Sequence, residues 1–262
     1  MSHLERLGRA SRARAEREMA EHPLADFEEM IEGLPARRPF AERLRPGAGP
    51  VPRVIGEMKR ASPSAGVLRS TYNPLLIARG YTRVGAAAVS VLTEPEEFGG
   101  ELDHLSEVRP AHLPVLRKDF LVTPYQVAQS RAAGADAVLL IAALLEGPAL
   151  SNMLLATRRY GVEAMVEVHD EEDLARAIDL GSEVIGINNR NLHTMQVDLG
   201  TSERLARRVP GGIIKVSESG IHGRADLERL MSAGYEAFLI GETLMRAQDP
   251  GDALWRIMTP GS

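Results

Sequence analysis

The stretch VPRVIGEMKRASPSAG, residues 51–66, holds the pattern that decides the fold. An apolar run ends in Glu57-Met58-Lys59, and serine, proline and glycine then break the pattern. Because side chains alternate between the two faces of a β-strand, Glu57 and Lys59 share one face and Met58 takes the other. The stretch therefore predicts a buried strand that sets an acid beside an amine where the strand leaves the core.

The same pattern recurs along the chain. In each case a short apolar run ends in polar residues or glycine, and a longer stretch with helical spacing follows it. The runs are residues 51–59, 86–94, 113–120, 136–144, 164–170, 183–191, 213–220 and 237–244. Helix candidates between them include residues 73–85, 124–134, 171–181 and 224–234. Several of these candidates end in glycine, which is a common helix-stop signal.

Strands that alternate with helices leave two architectures, a closed eight-stranded barrel or an open doubly wound sheet. The number of runs, their even spacing and the lack of a G-x-G-x-x-G turn after the first run favour the barrel. We predict an α/β fold, a (β/α)8 TIM barrel with an N-terminal helical extension, in a single domain. Residues 1–48 form the extension, with a helical pattern at 24–34 and a connector at 45–52, and residues 49–262 form the barrel.

Composition and charge limit the class of protein. With 262 residues, 44% of them hydrophobic, the chain can build a sizeable core and is not broadly disordered. A net charge of −5 gives no reason to expect nucleic acid or an anionic membrane as a partner. Five arginines between Arg6 and Arg17 interleave with glutamates, which indicates a solvated helix face.

The chain contains no cysteine, which excludes disulfides, thiolate metal sites and a cysteine nucleophile. Its N-terminus lacks the apolar core of a secretory signal, and no later run is long enough for a membrane helix. We therefore expect a cytoplasmic protein.

Charged residues stand at several strand ends. In barrels of this type the active site lies at the C-terminal ends of the strands. Glu57, Lys118, Glu167 and Glu218 each follow a run so apolar that solubility does not explain them. A buried charge without a partner is costly, so we expect these four side chains to converge, pair and shift one another's pKa values.

The last two strands carry a separate signal. Loops after the seventh and eighth strands of such barrels often bind phosphate through backbone N–H groups. SESGI (217–221) and LIGETLM (239–245) supply glycines there. Gly220 and Gly241 let the backbone approach an anion, and Ser219 adds a hydroxyl donor. Two tight turns are the plainer interpretation, but their occurrence on adjacent strands favours a phosphate site.

Eight blocks of sequence together resemble the indole-3-glycerol phosphate synthase family. They are EMKRASPSAG (57–66), SVLTE (90–94), FGG (98–100), LRKDF (116–120), VEVHDEEDL (166–174), GINNRNL (186–192), SESGI (217–221) and FLIGETLM (238–245). The combination of E-x-K-x-x-S-P-S with R-K-D-F is highly specific. Ala65 and Glu101 depart from the commonest family pattern, and both positions bear on loop closure rather than on identity.

The resemblance implies a reaction. The substrate is 1-(2-carboxyphenylamino)-1-deoxyribulose 5-phosphate, which closes to an indole with loss of carbon dioxide and water in tryptophan biosynthesis. It implies no cofactor and no metal, and we expect a monomer whose partner is this phosphorylated small molecule. Lys118 is then the general acid, Lys59 binds the substrate carboxylate, Glu57 positions that lysine, and Glu167 is a further acid or base. Which of Glu57 and Glu167 takes the final proton stays open.

The remaining site residues follow from the same resemblance. Asn188 and Glu218 would orient the anilino nitrogen and sugar hydroxyls, and Phe98 would cover the aromatic ring. Contacts with anionic groups are expected from Ser62, Arg190, Ser219, Gly220, Gly241 and the backbone of Glu242.

Two rival functions stay open at this point. One is a sugar-phosphate isomerase or an aldolase in which Lys59 or Lys118 forms an imine. The other is a non-catalytic barrel that binds a phosphorylated metabolite. His169 is interpreted as part of a helix entry capped by Asp170. Lys215 has the opposite strand parity to Glu218, so it should point away from the site or pack below it as part of a buried polar pair.

Overall fold

Parallel strands close into a barrel in the computed structural model, which describes residues 2–45, 52–63, 65–192 and 194–260. The barrel strands are β1 (Arg53–Met58), β2 (Ala88–Leu92), β3 (Val115–Lys118), β4 (Ala137–Ile141), β5 (Glu163–Val168), β6 (Val184–Asn188), β7 (Ile214–Glu218) and β8 (Ala237–Ile240). Each strand pairs in parallel with the next, and β8 pairs with β1. All the C-terminal strand ends therefore lie at one mouth.

Helices precede and surround the strands. They are α1 (His3–Glu21), α2 (Leu24–Glu32), α3 (Phe40–Leu44), α4 (Pro74–Arg83), α5 (Pro95–Phe98), α6 (His104–Glu107), α7 (Pro124–Ala132), α8 (Ala149–Tyr160), α9 (Glu171–Asp179), α10 (Gly200–Ala206), α11 (Arg224–Ser232), α12 (Glu242–Arg246) and α13 (Pro250–Met258). Short 3₁₀ helices span Arg109–Ala111 and Ala142–Leu144, and a two-stranded hairpin pairs Ala61–Ser62 with Gly66–Val67.

Local sequence explains several of these boundaries. Asn73 accepts a hydrogen bond from the Leu76 amide, and Pro74 occupies the first turn, so α4 begins there. Asp170 accepts from two backbone amides at the start of α9. The barrel strands are mostly apolar because helices cover one face of the sheet and the barrel interior lies on the other.

The first helix of the extension lies at the mouth of the barrel. Leu4 and Leu7 line the cavity that opens there. Farther along α1, Arg14 forms an ion pair with Asp119, which directly follows β3. Helix α1 therefore forms part of the surface around the mouth of the barrel.

The other two helices of the extension contact different parts of the barrel. Helix α2 packs on α7, with the rings of Phe27 and Tyr125 5.4 Å apart. Phe40 and Leu44 of α3 are fully buried in one apolar cluster with the barrel interior. The Ala41 amide donates to Glu163 at the start of β5, so α3 closes the end opposite the mouth.

The structure confirms the predicted barrel and its N-terminal helices. Each strand lies within its predicted run or starts one residue before it, and the connector predicted at 45–52 lies almost wholly outside the described residues. The solvated face predicted for the arginines of α1 is wrong for Arg14, because that side chain turns inward to Asp119. No helix within the described ranges is both long and apolar enough to cross a membrane.

Candidate active site

A cavity opens at the mouth of the barrel, among the loops that follow the strands. It is lined by every residue that the sequence predicted for the site: Glu57, Lys59, Ser62, Phe98, Lys118, Glu167, Asn188, Arg190, Glu218, Ser219, Gly220, Gly241 and Glu242. His3, Leu4 and Leu7 of α1 also line it. These three were not predicted, because nothing in the sequence indicates which end of a barrel an N-terminal helix covers.

Lys118 lies among three carboxylates. It is the last residue of β3, and its Nζ lies 3.4 Å from Glu167 Oε2 and 3.6 Å from Glu218 Oε2. Burial would lower the pKa of Lys118, but the charges of Glu167, Glu218 and Glu57 outweigh burial and raise it above the ordinary lysine value. Lys118 is therefore an ammonium ion at neutral pH.

Glu57 and Lys59 form the pair expected from their shared strand face. Lys59 Nζ lies 2.7 Å from Glu57 Oε1, and the carboxylate is buried. Burial would raise the pKa of Glu57, but the charges of Lys59 and Lys118 lower it below its ordinary value. Gly241 makes room for this pair, because a Cβ at that position would overlap Glu57 Oε1.

Glu167 and Glu218 share Lys118 but have different surroundings. Burial would raise the pKa of Glu167, but the charge of Lys118 and contacts with His169 and Asn188 lower it. Neither oxygen of Glu218 has a hydrogen-bond partner among the described residues. Burial and the charge of Glu167 raise the pKa of Glu218. Two carboxyl groups held in different protonation states can divide acid and base roles between them.

The rim of the cavity contains an unusual turn. Ser219 and Gly220, which follow β7, both have a left-handed backbone, with φ of 67° and 78°. This conformation is uncommon for serine, and such strain clusters at functional sites. Across the rim, Arg190 Nη2 lies 4.0 Å from Glu242 Oε2.

An aromatic side chain forms another part of the wall. Phe98 ends α5, and its ring centroid lies 6.3 Å from that of Phe120. Glu94 caps this short helix by accepting hydrogen bonds from three backbone amides. Glu94 therefore has a structural role, although it also stands at a strand end.

His169 lies closer to the site than the sequence indicated. Asp170 does cap α9, as predicted, but His169 Nε2 also lies 3.2 Å from Glu167 Oε1. The strand parity that identified the first acid–amine pair applies here too, since residues 167 and 169 share a face. Lys215 does point away from the cavity, and its Nζ lies 5.8 Å from the centroid of the Tyr235 ring.

Asp119 is a further residue that the sequence left without a role. Its carboxylate is fully buried and accepts hydrogen bonds from Arg14, Arg117 and Thr93. Burial would raise the pKa of Asp119, but the two arginine charges and these hydrogen bonds lower it. The network fixes the backbone next to Lys118.

The arrangement can transfer protons and hold anions. A buried ammonium ion faces carboxyl groups with unlike protonation states, a second amine is available for an anionic group, and Gly220 and Gly241 bring backbone to the cavity wall. Among the residues that the structure describes, no group of three or more His, Asp and Glu side chains could hold a metal ion.

Comparison with known proteins identifies one family. The family model described as indole-3-glycerol phosphate synthase matches residues 4–257. The indole-3-glycerol phosphate synthase of Parafrankia sp. is 45% identical over 255 residues, covering 97% of this chain and 93% of the relative. That of Rhodospirillum rubrum is 44% identical over 247 residues, covering 93% and 94%.

Solved structures with low sequence identity share the fold alone. 3-Hexulose-6-phosphate synthase from Salmonella typhimurium superposes with a TM-score of 0.63 at 12% identity, covering 78% of this chain and 96% of that one. Thiamine phosphate pyrophosphorylase from Pyrococcus furiosus gives a TM-score of 0.59 at 15% identity, covering 84% and 96%.

Proposed function

The chain belongs to the indole-3-glycerol phosphate synthase family, and we propose that Lys118 is the general acid of its ring closure. The protein is a carbon–carbon lyase of tryptophan biosynthesis. It converts 1-(2-carboxyphenylamino)-1-deoxyribulose 5-phosphate to indole-3-glycerol phosphate, with loss of carbon dioxide and water. The roles of individual residues in this reaction are our proposal.

Lys118 supplies the proton that ring closure needs. The aromatic ring attacks a ketone, and the ketone oxygen must become a hydroxyl group. An alkoxide is a stronger base than a lysine amine, so transfer from the ammonium is favourable even though neighbouring carboxylates raise the pKa of Lys118. The position of Nζ near both Glu167 and Glu218 supports this role.

Lys59 binds the carboxylate that leaves as carbon dioxide. Its pairing with Glu57 at 2.7 Å holds the ammonium at one place in the cavity. An anion can then occupy the donor positions of Lys59 that Glu57 leaves free. Glu57 thus positions the lysine, and it is also one of two candidates for the final proton transfer.

Glu167 acts in the dehydration step. Loss of water requires protonation of a hydroxyl group while a ring proton departs, and an ionised carboxylate beside Lys118 can accept that proton. Glu167 and Glu57 are both ionised bases in this cavity, and both stay candidates for this transfer. Asn188 and Glu218 lie side by side in the register of β6 and β7, where they can orient the nitrogen and sugar hydroxyls.

The phosphate binds at the rim formed after β7 and β8. Ser219, Gly220, Gly241 and the backbone of Glu242 supply the donors, with Arg190 nearby. Ser62 Oγ is buried and has no hydrogen-bond partner within the described part of the chain, which supports a contact with a substrate anion. Phe98 covers the aromatic ring of the substrate.

One observation carries these assignments: the ammonium of Lys118 lies between carboxylates of β5 and β7 inside a single cavity. The test is to add the carboxyphenylamino substrate to purified protein and follow indole fluorescence. We expect product to form without added metal or cofactor. Substrate binding without any product would instead support a non-catalytic barrel.

An imine mechanism has a separate test. A lysine must be neutral to attack a carbonyl, and the carboxylates around Lys118 oppose loss of its proton. Borohydride added during turnover should therefore leave the protein mass unchanged. A stable adduct on Lys59 or Lys118 would contradict the acid–base assignment.

We also propose that the chain is a single domain and a monomer in the cytoplasm. Contacts of α1, α2 and α3 with three parts of the barrel support one folding unit. The exposed large apolar side chains of the described residues lie on several different elements rather than in one group. Light scattering at micromolar concentration should give the monomer mass, and urea unfolding should show one transition.

A further inference from the structure

The ring of His169 lies between two carboxylates. Its Nε2 is 3.2 Å from Glu167 Oε1, and its Nδ1 is 3.7 Å from Asp173 Oδ2. Asp173 also accepts a hydrogen bond from the His169 backbone amide, and its other oxygen binds Arg176 at 2.7 Å. The Arg176 side chain is fixed in turn by the carbonyls of Ala142 and Leu145. Neither ring nitrogen of His169 meets hydrogen-bond geometry with a described residue, so the two carboxylates contact the ring as ion-pair partners of its protonated form.

The two oxygens of Glu167 contact two different cationic groups. Oε1 faces His169, whereas Oε2 lies 3.4 Å from Lys118 Nζ. Glu218 shares Lys118 at a similar distance, but neither of its oxygens has a hydrogen-bond partner within the described ranges. His169 and Asn188 both contact Glu167, and of the two only His169 can carry a positive charge.

We propose that His169 is a positioning residue whose imidazolium holds Glu167 Oε1, so that Glu167 rather than Glu218 is the ionised carboxylate beside Lys118. This inference rests on the acid–base roles proposed above. His169 does not line the cavity, so it acts through Glu167 and does not touch the substrate.

Charged groups of both signs lie on the elements around the His169 ring. Glu167 on β5 and Asp173 on α9 contact the ring and favour its imidazolium form, whereas Glu218 on β7 would favour it only when ionised. Lys118 on β3 and Arg176 on α9 oppose them, but each is itself paired with a carboxylate. Burial lowers the pKa of His169, and the two contacting carboxylates outweigh it and raise this pKa to about 10.

The first experiment does not depend on turnover. Protein labelled with ¹⁵N-histidine is titrated by NMR, with His169 assigned by comparison with the His169→Gln variant. We expect the ring of His169 to stay protonated to at least about pH 9, and Asp173→Asn to lower its pKa by about one unit or more. A ring that titrates near the ordinary histidine value of about 6.5 would overturn the proposal, whatever the activity of the protein.

The second experiment measures pH profiles of kcat. In His169→Gln, Glu167 loses a cation, so the acidic limb of the profile should move up by roughly one pH unit, and kcat measured at pH values on that limb should fall about tenfold. KM should change less, because substrate contacts stay in place. Asp173→Asn should give a smaller shift in the same direction, which keeps the test valid if His169→Gln does not fold.

His22→Gln is the matched control, since His22 is exposed at the end of α1 and does not line the cavity. This variant should leave the profile unchanged. An equal loss of kcat at every pH in His169→Gln and Asp173→Asn, without a shifted limb, would contradict the proposal and assign His169 a purely structural role. Absence of product from the wild-type protein would contradict the proposed function instead, and the NMR result would be unaffected.

Discussion

Lys118 has more carboxyl groups around it than a single ammonium ion can pair with. Glu167 and Glu218 contact it, and Glu57 lies close enough to shift its pKa. A substrate that brings its own anionic groups must therefore rely on Lys59 and the rim rather than on Lys118. Lys118 and Lys59 therefore have different roles, because Lys118 lies among several carboxyl groups whereas Lys59 pairs with Glu57.

The first prediction concerns turnover. Lys118→Ala should lower kcat by roughly 10²- to 10⁴-fold, because a positioned general acid contributes about that much, while the substrate dissociation constant changes little. Stopped-flow fluorescence separates the two quantities. Lys215→Ala is the control, since it removes the same charge from a lysine outside the cavity. Near-normal kcat in Lys118→Ala would exclude the general-acid role.

A second prediction concerns the rim. Ser219→Ala should raise KM by about five- to tenfold with little change in kcat, because it removes one hydroxyl donor to the phosphate. Ser219→Gly removes the same hydroxyl but tolerates the left-handed backbone better. Similar KM values in the two variants would identify the hydroxyl, and an effect of Ser219→Ala alone would identify backbone strain instead.

Strand parity predicted the orientation of several side chains at the site. It placed Glu57 beside Lys59 and turned Lys215 away from the cavity. It could not assign His169, because the contact that fixes the ring comes from Asp173, on a helix whose packing against β5 the sequence does not specify. Strand parity predicts the face of the strand on which a side chain lies, but not which residue of another element contacts that side chain.

Helix α1 is the element that most extends the barrel's mouth. It places Leu4 and Leu7 in the cavity wall and joins Asp119 through Arg14. The sequence could not predict this position. Arg14 and Asp119 are 105 residues apart, and the surrounding arginines and glutamates resemble those of an ordinary exposed helix.

The third prediction tests this attachment. Arg14→Met should destabilise the protein by about 1–3 kcal/mol, because a fully buried carboxylate loses a charge-assisted donor while keeping Arg117 and Thr93. Arg6→Met is the matched control on the same helix, and it should have little effect since the Arg6–Glu97 pair is solvent-exposed. Urea unfolding measures both. Equal losses would indicate that Arg14 contributes no more than a surface pair.

For the whole molecule, buried charges make stability depend on pH in two directions. The pKa values of Glu57, Asp119 and Glu167 are lowered, so their contributions are present above about pH 4 and are lost as pH falls through the folded-state values. The pKa of Glu218 is raised, so its contribution is present below about pH 4 and is lost as pH rises through its raised value. Stability should therefore fall on both sides of an intermediate optimum.

The fourth prediction tests the loss of stability at alkaline pH. Glu218→Gln removes the carboxyl group whose ionisation becomes costly, so it should stabilise the protein more at about pH 8 than at about pH 5. Unfolding in urea at the two pH values gives the difference. The same change in unfolding free energy at both would show that Glu218 is already ionised at the lower pH.

The fold itself could be predicted because eight apolar runs at even spacing have few architectures open to them. The positions of the three N-terminal helices on the barrel could not be predicted. Each of these helices is amphipathic, and its apolar face could pack on any apolar surface of the barrel. Phe40 and Leu44 give no sign in the sequence that they enter the closed end of the barrel.

Helix α3 closes one end of the barrel, and its burial depends on strands that are synthesised much later than the helix. Leu44 belongs to the same buried apolar cluster as Ile214 and Ala237, which leave the ribosome near the end of translation. The first helices thus emerge long before the surface that shields them exists. A nascent chain halted before β8 would leave the apolar side chains of Phe40 and Leu44 exposed, and chaperones could bind this N-terminal segment.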